Sequence, residues 1–198
     1  MGKLLFLLIT QFILTTSFGQ LTTIPGKPRL LTKKENEMDE KNKNCFYKNN
    51  FSAKQRLQFY PFNKLSEIQL VSFDKADSLI MGGELPMNNG NIDYSKLKEI
   101  RTISREQIDT LTDLLFNRGY GGHFYSFSEN NCYNPRNAIL FLDSSGKTFD
   151  FIEICFECAG HRLSSKKIKA GDFCNQKYEY LRKFFATNGI VFGIKADE

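Results

Sequence analysis

The residues of this chain with the strongest covalent or metal-binding chemistry are five cysteines and two histidines: Cys45, Cys132, Cys155, Cys158, Cys174, His123 and His161. Three chemistries compete for them. Two disulfides drawn from Cys132, Cys155, Cys158 and Cys174 would staple a small domain, each contributing about 2–4 kcal/mol when unstrained. Cys155-Phe156-Glu157-Cys158 also has the spacing of a dithiol redox pair. That chemistry places its attacking thiol at a helix N-terminus, where the dipole favours thiolate, whereas Ala159 to Ser165 does not read as a helix; Cys174 is the cysteine at a predicted helix start. Thirdly, Cys155, Cys158 and His161, with Cys132 or Cys174, offer ligands for zinc or another soft metal, although a second closely spaced pair is missing. Apart from the metal of the third reading, no cofactor is expected. The count of cysteines is odd, so at least one is unpaired within the chain.

Two polar groupings stand beside the sulfur. Arg136 lies close in register to Glu153 and Glu157, which predicts a cross-strand ion pair, or the polar lining of a pocket if that face is concave. Cys132 and His123 are the nearest sequence neighbours able to act as nucleophile and base. His123 follows Gly119-Tyr120-Gly121-Gly122, and an incidental histidine in a loop accounts for it more simply. The glycine run lacks a preceding strand and a following Lys-Ser or Lys-Thr, so it is not a phosphate cradle. No catalytic motif rises above background.

These residues need a frame, and local signals supply most of it. Glu67 to Phe73 reads as a first strand. Residues 81–95, with Gly82-Gly83 and Asn88-Asn89-Gly90, read as loop. Ser104 and Gln107 form a capping box, flanked by Ile103 and Ile108, and Ile108, Leu111, Leu114 and Leu115 share one core-facing stripe, which predicts a helix over 104–117. Two apolar runs around Ser144-Ser145-Gly146 predict a hairpin over 137–156. Asp172 as N-cap and Asn188-Gly189 as stop predict a last helix over 172–187. The fold class is therefore α+β, with a small antiparallel sheet and both helices on one face.

The hairpin has consequences for the sulfur. Pairing Asp143 near Lys147 makes partner numbers sum to about 290, which places Cys132 across from Cys158. Pro135 lacks a backbone donor and marks an edge, bulge or strand start between them. Strand alternation sets Ile152, Ile154, Phe156 and Cys158 on one face and Glu153, Cys155 and Glu157 on the other. Cys155 and Cys158 thus point apart unless the chain turns between them.

The chain has 198 residues, 41% hydrophobic and 25% charged, with 19 Phe and 8 Tyr, enough for one ordinary core. Lys3 and the apolar run from Leu4 to Leu14, ending in Ser17-Phe18-Gly19-Gln20, read as a cleavable secretory signal over 1–19, too short for a membrane span. Its removal deletes Lys3 and lowers the net charge from +5 to +4. The basic residues are interspersed with acidic ones, so neither nucleic acid nor a membrane span after cleavage is expected. Residues 20–55 are polar and read as a flexible or loosely docked arm, and 56–198 as a single domain.

The segments Tyr60-Pro61-Phe62-Asn63-Lys64, Cys132-Tyr133-Asn134-Pro135-Arg136-Asn137 and Ile154-Cys155-Phe156-Glu157-Cys158, with the late Cys174 helix, resemble a group of uncharacterised exported bacterial proteins over roughly residues 60–194. The resemblance implies no activity. It implies that the four later cysteines form one unit and that Cys45 is peripheral, hence the free thiol. The resulting expectation is an exported, periplasmic or secreted binding or interaction module without enzymatic activity, stabilised by disulfides. Its partner is an unknown protein or small molecule. The alternative is a periplasmic thiol-redox or metal-binding protein centred on Cys155 and Cys158. An inhibitor or immunity protein also fits the size and export, without support from any residue.

Overall fold

The computed structural model describes residues 30–74, 84–125 and 132–195. The predicted signal segment, and the Gly82-Gly83 pair, lie outside the described residues. Helix α1 (Lys33–Lys43) leads to strand β1 (Cys45–Tyr47) and the single turn α2 (Ala53–Arg56). Strand β2 (Glu67–Phe73) precedes a ribbon of β3 (Met87–Asn88) and β4 (Asn91–Ile92), then β5 (Leu97–Thr102) and helix α3 (Arg105–Phe116). Strands β6 (Arg118–Tyr120), β7 (Asn137–Leu142), β8 (Thr148–Cys155) and β9 (Gly160–Leu163) lead to helix α4 (Lys177–Thr187).

The main sheet is antiparallel with strand order β5-β2-β7-β8-β9, and β1 pairs separately with β6. The fold is α+β, as the alternating periodicities predict. Side chains two apart share a face, and both faces are apolar. Ile68, Leu70, Ile139, Phe141, Ile152 and Ile154 meet Leu111 and Leu115 of α3 and Leu181, Phe184 and Phe185 of α4. On the opposite face Val71, Phe73, Ala138, Leu140 and Leu142 pack with Leu85. Every residue of β7 is buried in consequence.

Helix α3 begins where its capping box places it, with the Ser104 side chain accepting from Gln107 N–H at 3.3 Å. The hairpin pairs Asn137 with Ile154 and Leu142 with Thr148, the predicted register with one bulge near the turn. Pro135 lies just ahead of β7, the strand-start position its missing donor requires.

Two expectations need correction. Helix α4 starts at Lys177, not at Asp172, because residues 171–176 are committed elsewhere. Gly171 adopts φ +67° so closely under the Leu115 carbonyl that a Cβ would sit 2.1 Å from it, Asp172 accepts from Tyr120 N–H at 3.3 Å, and Cys174 is bridged. The predicted arm contains a capped helix, with Thr32 and Glu35 forming a reciprocal capping box. Its Asp39 is buried, pairs with Lys43 at 2.9 Å and accepts from Tyr125 N–H, and its Asn42 donates to the His123 carbonyl at 2.6 Å.

Candidate functional site

Strand β8 ends at Cys155, which pairs with Gly160 of β9 across a tight turn over 156–159. Ala159 takes φ +47° in this turn. The chain therefore begins to reverse three residues ahead of Ala159-Gly160, and the alternation that would separate Cys155 from Cys158 stops at the strand end. Cys158 N–H donates to Cys155 Sγ at 3.2 Å. The Tyr133 ring packs closely over Gly160, 3.2 Å from where a Cβ would stand.

Cys158 is bridged to Cys132, with Cα atoms 5.5 Å apart, the pair the hairpin register brings together. Cys174 is bridged to Cys45, 129 positions away. The expectation that Cys45 is the peripheral free thiol is thus overturned: the free cysteine among the described residues is Cys155, buried at 1% exposure. Cys45 reaches Cys174 because β1 docks beside the start of α4, where Cys45 N–H donates to Gln176 Oε1 at 2.7 Å and Asn175 N–H to the Lys43 carbonyl at 2.9 Å. Cys155 Sγ also accepts from Asn134 N–H at 3.4 Å.

Next to the sulfur cluster lies Glu153, with no exposed surface. Its carboxylate accepts from Leu85 N–H at 2.5 Å, Arg162 Nε at 2.6 Å and the Tyr133 hydroxyl at 3.2 Å. Arg162 also reaches Glu84 at 2.8 Å, and Glu153 holds its guanidinium above the ordinary arginine value. Burial first, and then Glu153, raises the Tyr133 phenol far above the ordinary tyrosine value, so it serves as a hydrogen donor. Arg136, 3% exposed, pairs with Glu157 at 3.3 Å and donates to the Lys195 carbonyl at 3.3 Å. The predicted pair Arg136–Glu157 thus forms, while Glu153 takes Arg162 instead. Arg136, Glu153 and Glu157 thus each have a charged partner within the chain.

His161 is half-buried, stacked on Phe173 with centroids 3.5 Å apart, and its Nδ1 is 2.8 Å from the Tyr178 hydroxyl. With Cys158 sulfur spent in a bridge and His161 engaged with Tyr178, the sequence-predicted ligand set is not assembled. Among the described residues no group of three or more His, Cys, Asp or Glu side chains is placed to hold a metal. His123 stands apart, in edge contact with Tyr125 at 4.9 Å, and its predicted partner Cys132 is disulfide-bonded.

Burial pushes the His161 imidazole from 6.5 down to about 4. The unfolded chain therefore takes up a proton first as pH falls, and stability is complete above pH 6.5, is lost between 6.5 and 4, and changes no further below from this group. The expected loss is about 3 kcal/mol. Urea denaturation at a series of pH values should show His161→Phe, which keeps the ring stack, lacking this part of the slope; equal slopes in both proteins would refute the assignment.

An open groove of about 890 Å³ lies between residues 53–66 and the first turns of α3. Phe62 and Ile103 form its buried floor and Leu57, Leu65 and Ile108 its half-buried walls, with Arg105, Glu106 and Thr110 exposed on the rim. Sequence reading missed it. Ile103 and Ile108 carry a staple signal, but the facing wall is set by the tertiary position of residues 57–66. Comparison with family models, curated proteins and solved structures finds no match to this chain. Fold and site together define a disulfide-stabilised α+β domain with an apolar-floored groove and a cluster of three cysteines, two buried and one exposed.

Proposed function

We propose that the chain is an exported binding module whose ligand has an apolar body seated in the groove between α2 and α3 and a polar end at its rim. The observation that carries this reading is the groove itself. Its volume of about 890 Å³ falls within the size range of small-molecule sites, and an apolar interior with a few polar groups at the edge is their usual chemistry. The polar cluster around Glu153, by contrast, is closed by its own partners. Export is supported by the basic and apolar start of the chain and by two disulfides, which persist in oxidising compartments. Among the described residues no helix is long and apolar enough to cross a membrane.

The test uses 1-anilinonaphthalene-8-sulfonate, whose rings suit the floor and whose sulfonate suits Arg105. The native protein should bind it with a fluorescence rise, and the double variant Leu57→Gln with Ile108→Gln should bind at least about tenfold more weakly, from two lost apolar contacts. Unchanged binding in a double variant that keeps its circular dichroism, or no binding to the native protein, would overturn the reading.

A further inference from the structure

We infer that Cys132, Cys155 and Cys158 form a thiol–disulfide exchange site in which the buried Cys155 sulfur displaces Cys132 from Cys158, releasing a reactive thiol at the surface. The inference rests on the sulfur geometry and is independent of the groove.

Three sulfurs are gathered at one hairpin end. The free one accepts amide protons from both chain segments that carry the bridge: from Cys158 itself at 3.2 Å and from Asn134, two positions after Cys132, at 3.4 Å. These two bonds set Cys155 Sγ against the backbone of both segments that the disulfide joins. The Tyr133 ring over Gly160 and the 1% exposure of Cys155 keep external reagents from reaching this sulfur directly. Its accessible reaction partner is the neighbouring bridge.

The step balances without an oxidant. Cys155 gives up its thiol proton to solvent and attacks Cys158 Sγ. The Cys155–Cys158 bond forms as the Cys158–Cys132 bond breaks, and Cys132 leaves as a thiolate that takes a proton from solvent. Attack at Cys158 is favoured over attack at Cys132 by where the leaving charge ends. Cys132 is exposed and its thiolate is hydrated, whereas Cys158 is buried at 4% exposure. The new bridge closes the turn over 156–159 at its base. The released Cys132 can then attack an external disulfide, forming a mixed disulfide and expelling the other half as a thiolate. The site's substrate class is thus a low-molecular-weight or protein disulfide.

The experiment treats the folded, oxidised chain with N-ethylmaleimide at mildly alkaline pH, quenches in acid and digests with trypsin without reduction. Cys132 lies in fragment 119–136, and Cys155 and Cys158 share fragment 148–162. Exchange yields fragment 119–136 alkylated at Cys132 and fragment 148–162 carrying an internal disulfide, as separate species. Alkylation at Cys155 with the two fragments still joined, or no alkylation of the folded protein, overturns the proposal. A Cys132→Ser variant, exposed to oxidised glutathione, should form the Cys155–Cys158 bridge directly. Recovery of that variant with both sulfurs as thiols or as separate glutathione adducts also overturns it.

Discussion

Replacing Cys45 and Cys174 together by Ser should cost about 5 kcal/mol of folding free energy, the largest loss expected from any change described above. The bridge spans 129 positions, and the loop-closure entropy it removes from the unfolded chain grows with the logarithm of that span, reaching about 5 kcal/mol at this length. Local contacts replace little of it. Helix α1 has no buried apolar residue, and what it buries is Asp39. Its docking depends on polar contacts and on the covalent tie immediately after it. The midpoint of guanidinium denaturation should fall sharply, and limited proteolysis should cleave within 33–47 while the sheet survives. A double variant with an unchanged midpoint, or with α1 still protected, would contradict this account.

Lys177→Met should cost about 4 kcal/mol, although it exchanges a buried charge for an apolar side chain of similar length. Lys177 has no exposed surface, and its Nζ donates to the carbonyls of Leu114 at 2.5 Å, Leu115 at 2.8 Å and Arg118 at 2.7 Å. Those carbonyls close the C-terminal end of α3, where the helix has no donors of its own and carries partial negative charge. Burial pushes the ammonium down to about 7, yet three converging carbonyls match its three donors, so the charged form is the one the site accommodates. Methionine leaves three buried acceptors unpaired at about 1–3 kcal/mol each, offset in part by the charge no longer buried. Thermal and urea denaturation measure the loss. A variant within about 1 kcal/mol of the native protein would mean that water or a shifted backbone replaces the ammonium.

What could be read in the sequence was what short-range chemistry determines. Ser104 and Gln107 cap each other within four residues, so α3 was legible, and the β7–β8 register follows from a turn that is itself local. The pairing of Cys132 with Cys158 could be extrapolated from that register because both lie just beyond the paired strands. Cys45 with Cys174 could not, since no periodicity connects residues 129 positions apart. Helix α1 was hidden for a related reason: it docks by Asp39 and Asn42, and polar docking leaves no apolar stripe to recognise. Alternation in β8 correctly placed Glu153 and Cys155 on one face. It then misled at Cys158, because a strand's two-residue period holds only until the chain turns, here at 156. Arg162 as the partner of Glu153 was missed because β9 is a strand of four half-buried residues, too short and too polar to show a pattern.

Strand β7 pairs along its length with β2 on one side and with β8 on the other, and all six of its residues are buried. Its amides have no local route to solvent. Fraying an edge strand leaves them shielded, and lifting either helix uncovers side chains rather than backbone. Opening β7 means parting the sheet through its middle, so deuterium enters there only on the timescale and at the free energy of unfolding the whole molecule.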